Sequence, residues 1–121
     1  MPVQLRIELF VADLVAFLDF YQRVLGFTAV QADTGSGYAA VRRDGVRIGA
    51  ALAWRPVDRA ARSVPDGTEI VIEVDDVRAE RDRVIAAGWP LAEDLKLRPW
   101  GLTDFRVHDP DGYYLRFTDT S

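Results

Sequence analysis

One pattern occurs twice in this chain, about sixty residues apart, and it limits the possible folds more than any other feature. Leu9-Phe10-Val11-Ala12-Asp13-Leu14 leads into a helical stretch ending at Leu25-Gly26-Phe27, and Ile72-Glu73-Val74-Asp75-Asp76-Val77 leads into one ending at Ala87-Gly88-Trp89. Thirteen positions separate Asp13 from Gly26 and twelve separate Asp76 from Gly88. Each copy then carries a hairpin with an Asp-Gly turn, Asp44-Gly45 in the first and Asp111-Gly112 in the second. The repeating unit is strand, helix, then strands.

A chain of 121 residues has room for one compact domain, and two halves of half that size would be marginal alone. The expectation is therefore a single domain spanning 1–121, built of repeats at about 1–56 and 68–121 with a linker at 57–67. No apolar run reaches the length of a membrane span, and Met1-Pro2 leads straight into a strand, so a cytoplasmic protein with no membrane partner is expected. Zero cysteines exclude disulfides and thiolate chemistry, and one histidine cannot assemble the usual zinc sets. A net charge of −4 argues against a nucleic-acid partner, which needs a basic face, and weakly favours a cationic ligand.

Within the first copy, Leu5, Ile7, Leu9 and Val11 alternate with Gln4, Arg6, Glu8 and Phe10, the pattern of a half-buried strand. Asp13 is placed to cap a helix running through Val24, with Leu14, Phe17, Leu18, Tyr21 and Leu25 on its apolar face and Gly26 at its left-handed end. Tyr38–Val41 and Val46–Trp54 read as strands. In the second copy, Ile70, Ile72 and Val74 alternate with Glu69, Val71 and Glu73, and Asp75-Asp76 forms a capped corner into a helix over Val77–Ala87. Arg78, Glu80, Arg81 and Arg83 are its expected solvated face. Leu91–Arg98 is an extended stretch, and Phe105–Phe117 is the closing hairpin.

Phe20-Tyr21-Gln22-Arg23-Val24-Leu25-Gly26-Phe27, together with Pro99-Trp100-Gly101 and Asp109-Pro110-Asp111-Gly112-Tyr113, resembles the vicinal oxygen chelate superfamily. That superfamily includes glyoxalase I, extradiol dioxygenases, fosfomycin-resistance enzymes and bleomycin-resistance proteins. The resemblance covers nearly the whole chain and implies an α+β fold of two tandem βαβββ modules whose curved mixed sheets surround a concave cleft. Metal-using members place one ligand in each of four slots, typically histidine or glutamine, glutamate, histidine and glutamate. Matched to this sequence, the slots fall on Arg6, on Gly49 to Ala51, on Glu69 and on Arg116. Arginine stays protonated and repels a cation, and one carboxylate cannot hold a divalent ion against two of them. No metal or other cofactor is expected.

Arg6, Glu69 and Arg116 are expected to converge on the concave surface, either as a charged floor for a polar ligand or as an internal ion-pair network. Glu8 and Glu73 share those strand faces and either meet a cationic group or lie at a solvated rim. Trp54, Trp100, Tyr38, Tyr114 and Phe105 are the aromatics expected near the cleft, where flat ligands stack, with Phe105 also readable as core. Phe17, Phe20, Tyr21, Phe27 and Phe117 follow core spacing. His108, before the Asp109-Pro110 turn, reads as a surface or turn-bonding residue, and no catalytic acid/base pair stands out.

The resemblance points to the drug-sequestering branch: a homodimer that holds a bulky aromatic antibiotic of the bleomycin, mitomycin or quinoxaline-peptide type, without catalysis, and confers self-resistance. Two alternatives stand beside it, a glyoxalase- or dioxygenase-like lyase or isomerase acting on a small molecule, and a module that binds another protein through its open sheet.

Overall fold

Alternating residues at Ile7–Val11 form strand β1, with Leu9 and Val11 buried and Glu8 and Phe10 on the other face. In this computed structural model residues 3–120 are described; Met1-Pro2, expected to lead straight into a strand, and Ser121 lie outside them. Leu5 precedes β1 and is 81% exposed, so the expected alternation holds only from Ile7 onward. Asp13 caps helix α1 (Leu14–Asp19) by accepting from the Val15 amide at 2.8 Å and the Ala16 amide at 3.3 Å.

The expected single helix to Val24 changes character part-way: Phe20–Val24 is a π-helical turn, closed by the Leu25 amide donating to the Phe20 carbonyl at 3.2 Å. The widened turn lets two adjacent pairs, Phe20-Tyr21 and Val24-Leu25, all bury fully. Tyr21 sits at the centre of this packing, its ring 4.8 Å from Phe17, 5.0 Å from Phe20 and 5.8 Å from Phe27. Strand β2 (Thr28–Gln31) follows, which strand propensity alone did not mark, and then β3 (Tyr38–Arg43) and β4 (Val46–Leu52) form the hairpin. The sheet order is β1-β4-β3-β2, with β1 parallel to β4 and the other pairs antiparallel.

The chain divides into two compact units, one reaching Val57 and one beginning at Asp58. The segment expected as a linker belongs to the second unit and carries a short helix, α2 (Arg59–Arg62), capped by Asp58. It lies against the Asp-Gly turn: Arg62 stacks over the Tyr113 ring at 4.3 Å, and a Cβ on Gly112 would come within 2.7 Å of the Arg59 carbonyl oxygen. Gly112 also has φ +87°, so this turn tolerates no side chain on either count.

In the second unit β5 (Ile70–Glu73) leads through the Asp76 cap into α3 (Val77–Ala86), followed by β6 (Glu93–Leu97), β7 (Thr103–His108) and β8 (Tyr114–Thr118). The order β5-β8-β7-β6, with β5 parallel to β8, reproduces the first sheet strand for strand. The repeat read from the sequence is thus a repeat of topology. One part of its surface was misread: Glu80 is buried, because at helical spacing it falls on the same side as Val77 and Val84. No helix among the described residues is long and apolar enough to cross a membrane.

Candidate functional site

Period-two alternation sends one set of side chains from each sheet into its core and the other onto an open face. In the first unit β1, β4 and β3 present Glu8, Gly49 and Ala40 side by side in register, with Phe10, Ala51 and Tyr38 one step along. Glu8 and Tyr38 reach toward each other over the bare Gly49: the phenol donates to both carboxylate oxygens, at 2.9 and 3.0 Å. A Cβ on Gly49 would overlap both the Tyr38 hydroxyl and the Glu8 carboxylate, so the bridge exists only because that position is glycine. Arg6 adds its Nε at 2.7 Å from the same carboxylate. Burial, and then the Glu8 hydrogen bond, push the Tyr38 phenol above its ordinary value, keeping it a donor.

The second unit builds a denser polar face. In register, β7 and β8 set Arg106 opposite Arg116 and His108 opposite Tyr114. Arg116 makes a 2.7 Å ion pair with Glu69. Asp104, fully buried, receives Arg98 through Nε at 3.0 Å and through a terminal nitrogen at 2.8 Å, while Arg106 and Arg116 lie 3.6 and 3.7 Å from its other oxygen. Arg98 also reaches Glu93 at 2.6 Å, and its hydrogen bond to Asp104 holds the guanidinium above its ordinary value. Arg106 donates to the Tyr114 hydroxyl at 3.1 Å with its guanidinium 5.7 Å from that ring. Three cations and three carboxylates therefore share this face, and Asp104 is the buried centre that gathers the arginines.

Of the sequence-predicted residues, Arg6, Glu8 and Tyr38 are joined in the first unit, and Glu69 with Arg116 and Tyr114 with Arg106 are paired in the second. Of the three residues expected to converge, Glu69 and Arg116 meet, while Arg6 is engaged by Glu8 within its own unit. Glu73 is exposed at the end of β5. Trp54 and Trp100 stand in loops, 90% and 58% exposed. Phe105 is a correction: it is fully buried, in register with Phe117 and stacked on it at 5.1 Å, because it shares the inward phase of β7 with Val107.

Asp104, Arg98 and Arg106 were missed, although the same alternation that places Phe105 inward puts Asp104 and Arg106 beside Arg116. A second omission is a pocket of about 410 Å³ in the second unit, walled by Trp89, Pro90, Leu91, His108, the α2 residue Ala60 and Ser63 just after α2. His108 Nε2 lies 3.0 Å from the Ser63 carbonyl oxygen, which only accepts, so this nitrogen carries the proton. The Trp89 indole donates to the His108 carbonyl at 2.8 Å.

The four positions that the resemblance matches to metal slots do not fit a metal. Arg6 is bound to Glu8, Gly49 has no side chain, and the one carboxylate, Glu69, is paired with Arg116. Among the described residues no cluster of three or more His, Cys, Asp or Glu side chains could hold an ion.

The family model described as Glyoxalase/Bleomycin resistance protein/Dioxygenase superfamily matches residues 4–117. The chain belongs to that superfamily. Solved structures agree on the fold of this glyoxalase/bleomycin resistance chain. TioX from Micromonospora sp. ML1 is 24% identical with a TM-score of 0.80, covering 98% of both chains. The glyoxalase/bleomycin resistance protein/dioxygenase from Alicyclobacillus acidocaldarius is 21% identical with a TM-score of 0.78, covering 97% of this chain and 90% of its own. An integron cassette protein, VCH_CASS1, from the mobile metagenome of V. Cholerae is 25% identical with a TM-score of 0.71, covering 100% and 97%. No curated protein matched the chain.

Proposed function

We propose that this superfamily member is a metal-independent binding protein that captures a bulky, partly aromatic natural-product antibiotic and releases it unchanged, protecting the cell that carries it. The observation that carries this reading is the pairing of Glu69 with Arg116 at 2.7 Å, which commits the one carboxylate among the four slot positions to an arginine. With Arg6 and Gly49 at two of the other slots, the superfamily's metal chemistry has no donor set to work from, which favours binding over metal-dependent catalysis. Exposed Trp54 and Trp100 offer stacking surface, and the Glu8–Tyr38 and Arg106–Tyr114 pairs offer polar contacts. Binding across a homodimer, in the cytoplasm, belongs to the same proposal.

Tryptophan-fluorescence titration against bleomycin-, mitomycin- and quinoxaline-peptide-type compounds tests it. Saturable quenching at one ligand per subunit, diminished in Trp54→Phe or Trp100→Phe and with the compound recovered chemically intact, is the expected result. Light scattering of free and loaded protein reads the dimer. A second reading, a lyase or isomerase, draws on His108 in the wall of the 410 Å³ pocket. Conversion of the compound, abolished by His108→Gln, would replace capture with catalysis.

A further inference from the structure

The open face of the first unit ends in a cleft of about 720 Å³, within the range that small-molecule sites occupy. Arg6, Arg42 and Arg47 line it together with Glu8 and Asp44, a balance of three positive against two negative charges, or +1, in a chain whose net charge is −4. Glu8 is already engaged by Arg6 and Tyr38. Arg42 and Arg47 are directly opposed in the register of β3 and β4, on the same face. Among the described residues neither side chain makes an ion pair or a hydrogen bond, and the Nε of Arg47 is buried with no acceptor.

Like charges directly opposed across a strand pair are destabilising, and a buried guanidinium N–H without an acceptor adds a further cost. The like-charge opposition is relieved by an oxyanion placed between the two guanidinium groups, each of which offers a planar fork to carboxylate or phosphate oxygens. We propose that the Arg42–Arg47 pair, with this cleft, is an oxyanion site for a carboxylate- or phosphate-bearing small molecule. The site goes beyond the capture reading: it binds its anion whether or not the chain takes an aromatic antibiotic. It also reverses the ligand charge that the overall acidity of the chain favours, because the local field in the cleft is set by the nearby arginines and not by the net charge.

The test uses inorganic phosphate and acetate, titrated separately into the full-length ¹⁵N-labelled protein at constant ionic strength, with chloride as the reference salt. Arginine Nε–H resonances are followed, and Arg42→Gln and Arg47→Gln assign the two signals. Saturable movement of the Arg47 signal is expected, with affinity lowered about tenfold or more in either variant and less in Arg42→Lys, which keeps charge but loses the fork. The stronger of the two titrations names the phosphate or the carboxylate class. In melting experiments without phosphate or acetate, Arg42→Gln should raise the melting temperature by removing the like-charge opposition, while the stronger anion raises that of the wild type alone. Shifts matched by chloride, or binding undiminished in both glutamine variants, overturn the proposal. A phosphate or acetate response without antibiotic quenching would sink capture and leave this site standing; quenching without either response would do the reverse.

Discussion

Asp104→Asn removes one charge from the centre of the second unit while leaving shape and volume almost unchanged. In the wild type the carboxylate is wholly buried and takes two contacts from Arg98, at 2.8 and 3.0 Å, with Arg106 and Arg116 at 3.6 and 3.7 Å. The face then balances Arg98, Arg106 and Arg116 against Glu93, Asp104 and Glu69. The amide leaves one positive charge uncompensated and turns an NH₂ toward arginine donors or abandons one of their hydrogen bonds. Breaking a buried pair by removing one partner costs about 3–5 kcal/mol. The arginine side chains remain 10% to 19% exposed and recover some hydration, which places the expected loss near the low end, about 3 kcal/mol. Against a typical domain stability of about 5–15 kcal/mol, that is a large fraction. Urea unfolding followed by circular dichroism should show a lower midpoint with an unchanged slope. A loss below about 1 kcal/mol, the scale of an exposed ion pair, would refute the idea that Asp104 organises the arginines.

Glu8→Gln should lower the Tyr38 ionisation pH, read by absorbance near 295 nm, but only part-way to the ordinary 10.0, because burial is the larger cause of its elevation. The sign for stability follows: with the folded value raised, Tyr38 contributes stability that is present below the ordinary value and lost as pH rises through the folded one, and Glu8→Gln should narrow that alkaline loss. Gly112→Ala combines φ +87° with a 2.7 Å clash against the Arg59 carbonyl, so a loss of about 2 kcal/mol or more is expected in denaturant titrations, with faster proteolysis within residues 59–63; unchanged values would show that α2 is not held by this turn. Asp13→Ala should cost about 1 kcal/mol by leaving the Val15 and Ala16 amides uncapped, and an effect near zero would mean water replaces the cap.

Much of the fold could be read along the chain because its signals are local. Asp13 and Asp76 could be recognised as helix starts, and Gly26 and Gly88 as stops with positive φ, from neighbouring residues alone. Strand β2 could not: Thr28–Gln31 is short and largely exposed, and it exists because β3 offers a partner edge. The π-helical turn at Phe20–Val24 likewise answers a packing demand, the burial of two adjacent residue pairs, that helical spacing does not announce. The site residues divide the same way. Arg6, Glu69 and Arg116 were found through the resemblance, whereas Phe105, open between cleft and core in the sequence, was decided for the core by the β7–β8 register that stacks it on Phe117.

By itself, then, the sequence determined the repeat, the caps and the turns, because each depends on residue types and their spacing along the chain, while the α+β class and the slot positions Arg6, Glu69 and Arg116 came through the resemblance. Only the tertiary structure decided which charges meet. Asp104 gathers Arg98, Arg106 and Arg116 from three different stretches, Glu8 reaches Tyr38 across a bare Gly49, and Arg42 stands opposite Arg47 in register. These partnerships are set by strand register, and moving a strand by one residue would turn every one of its side chains to the opposite face.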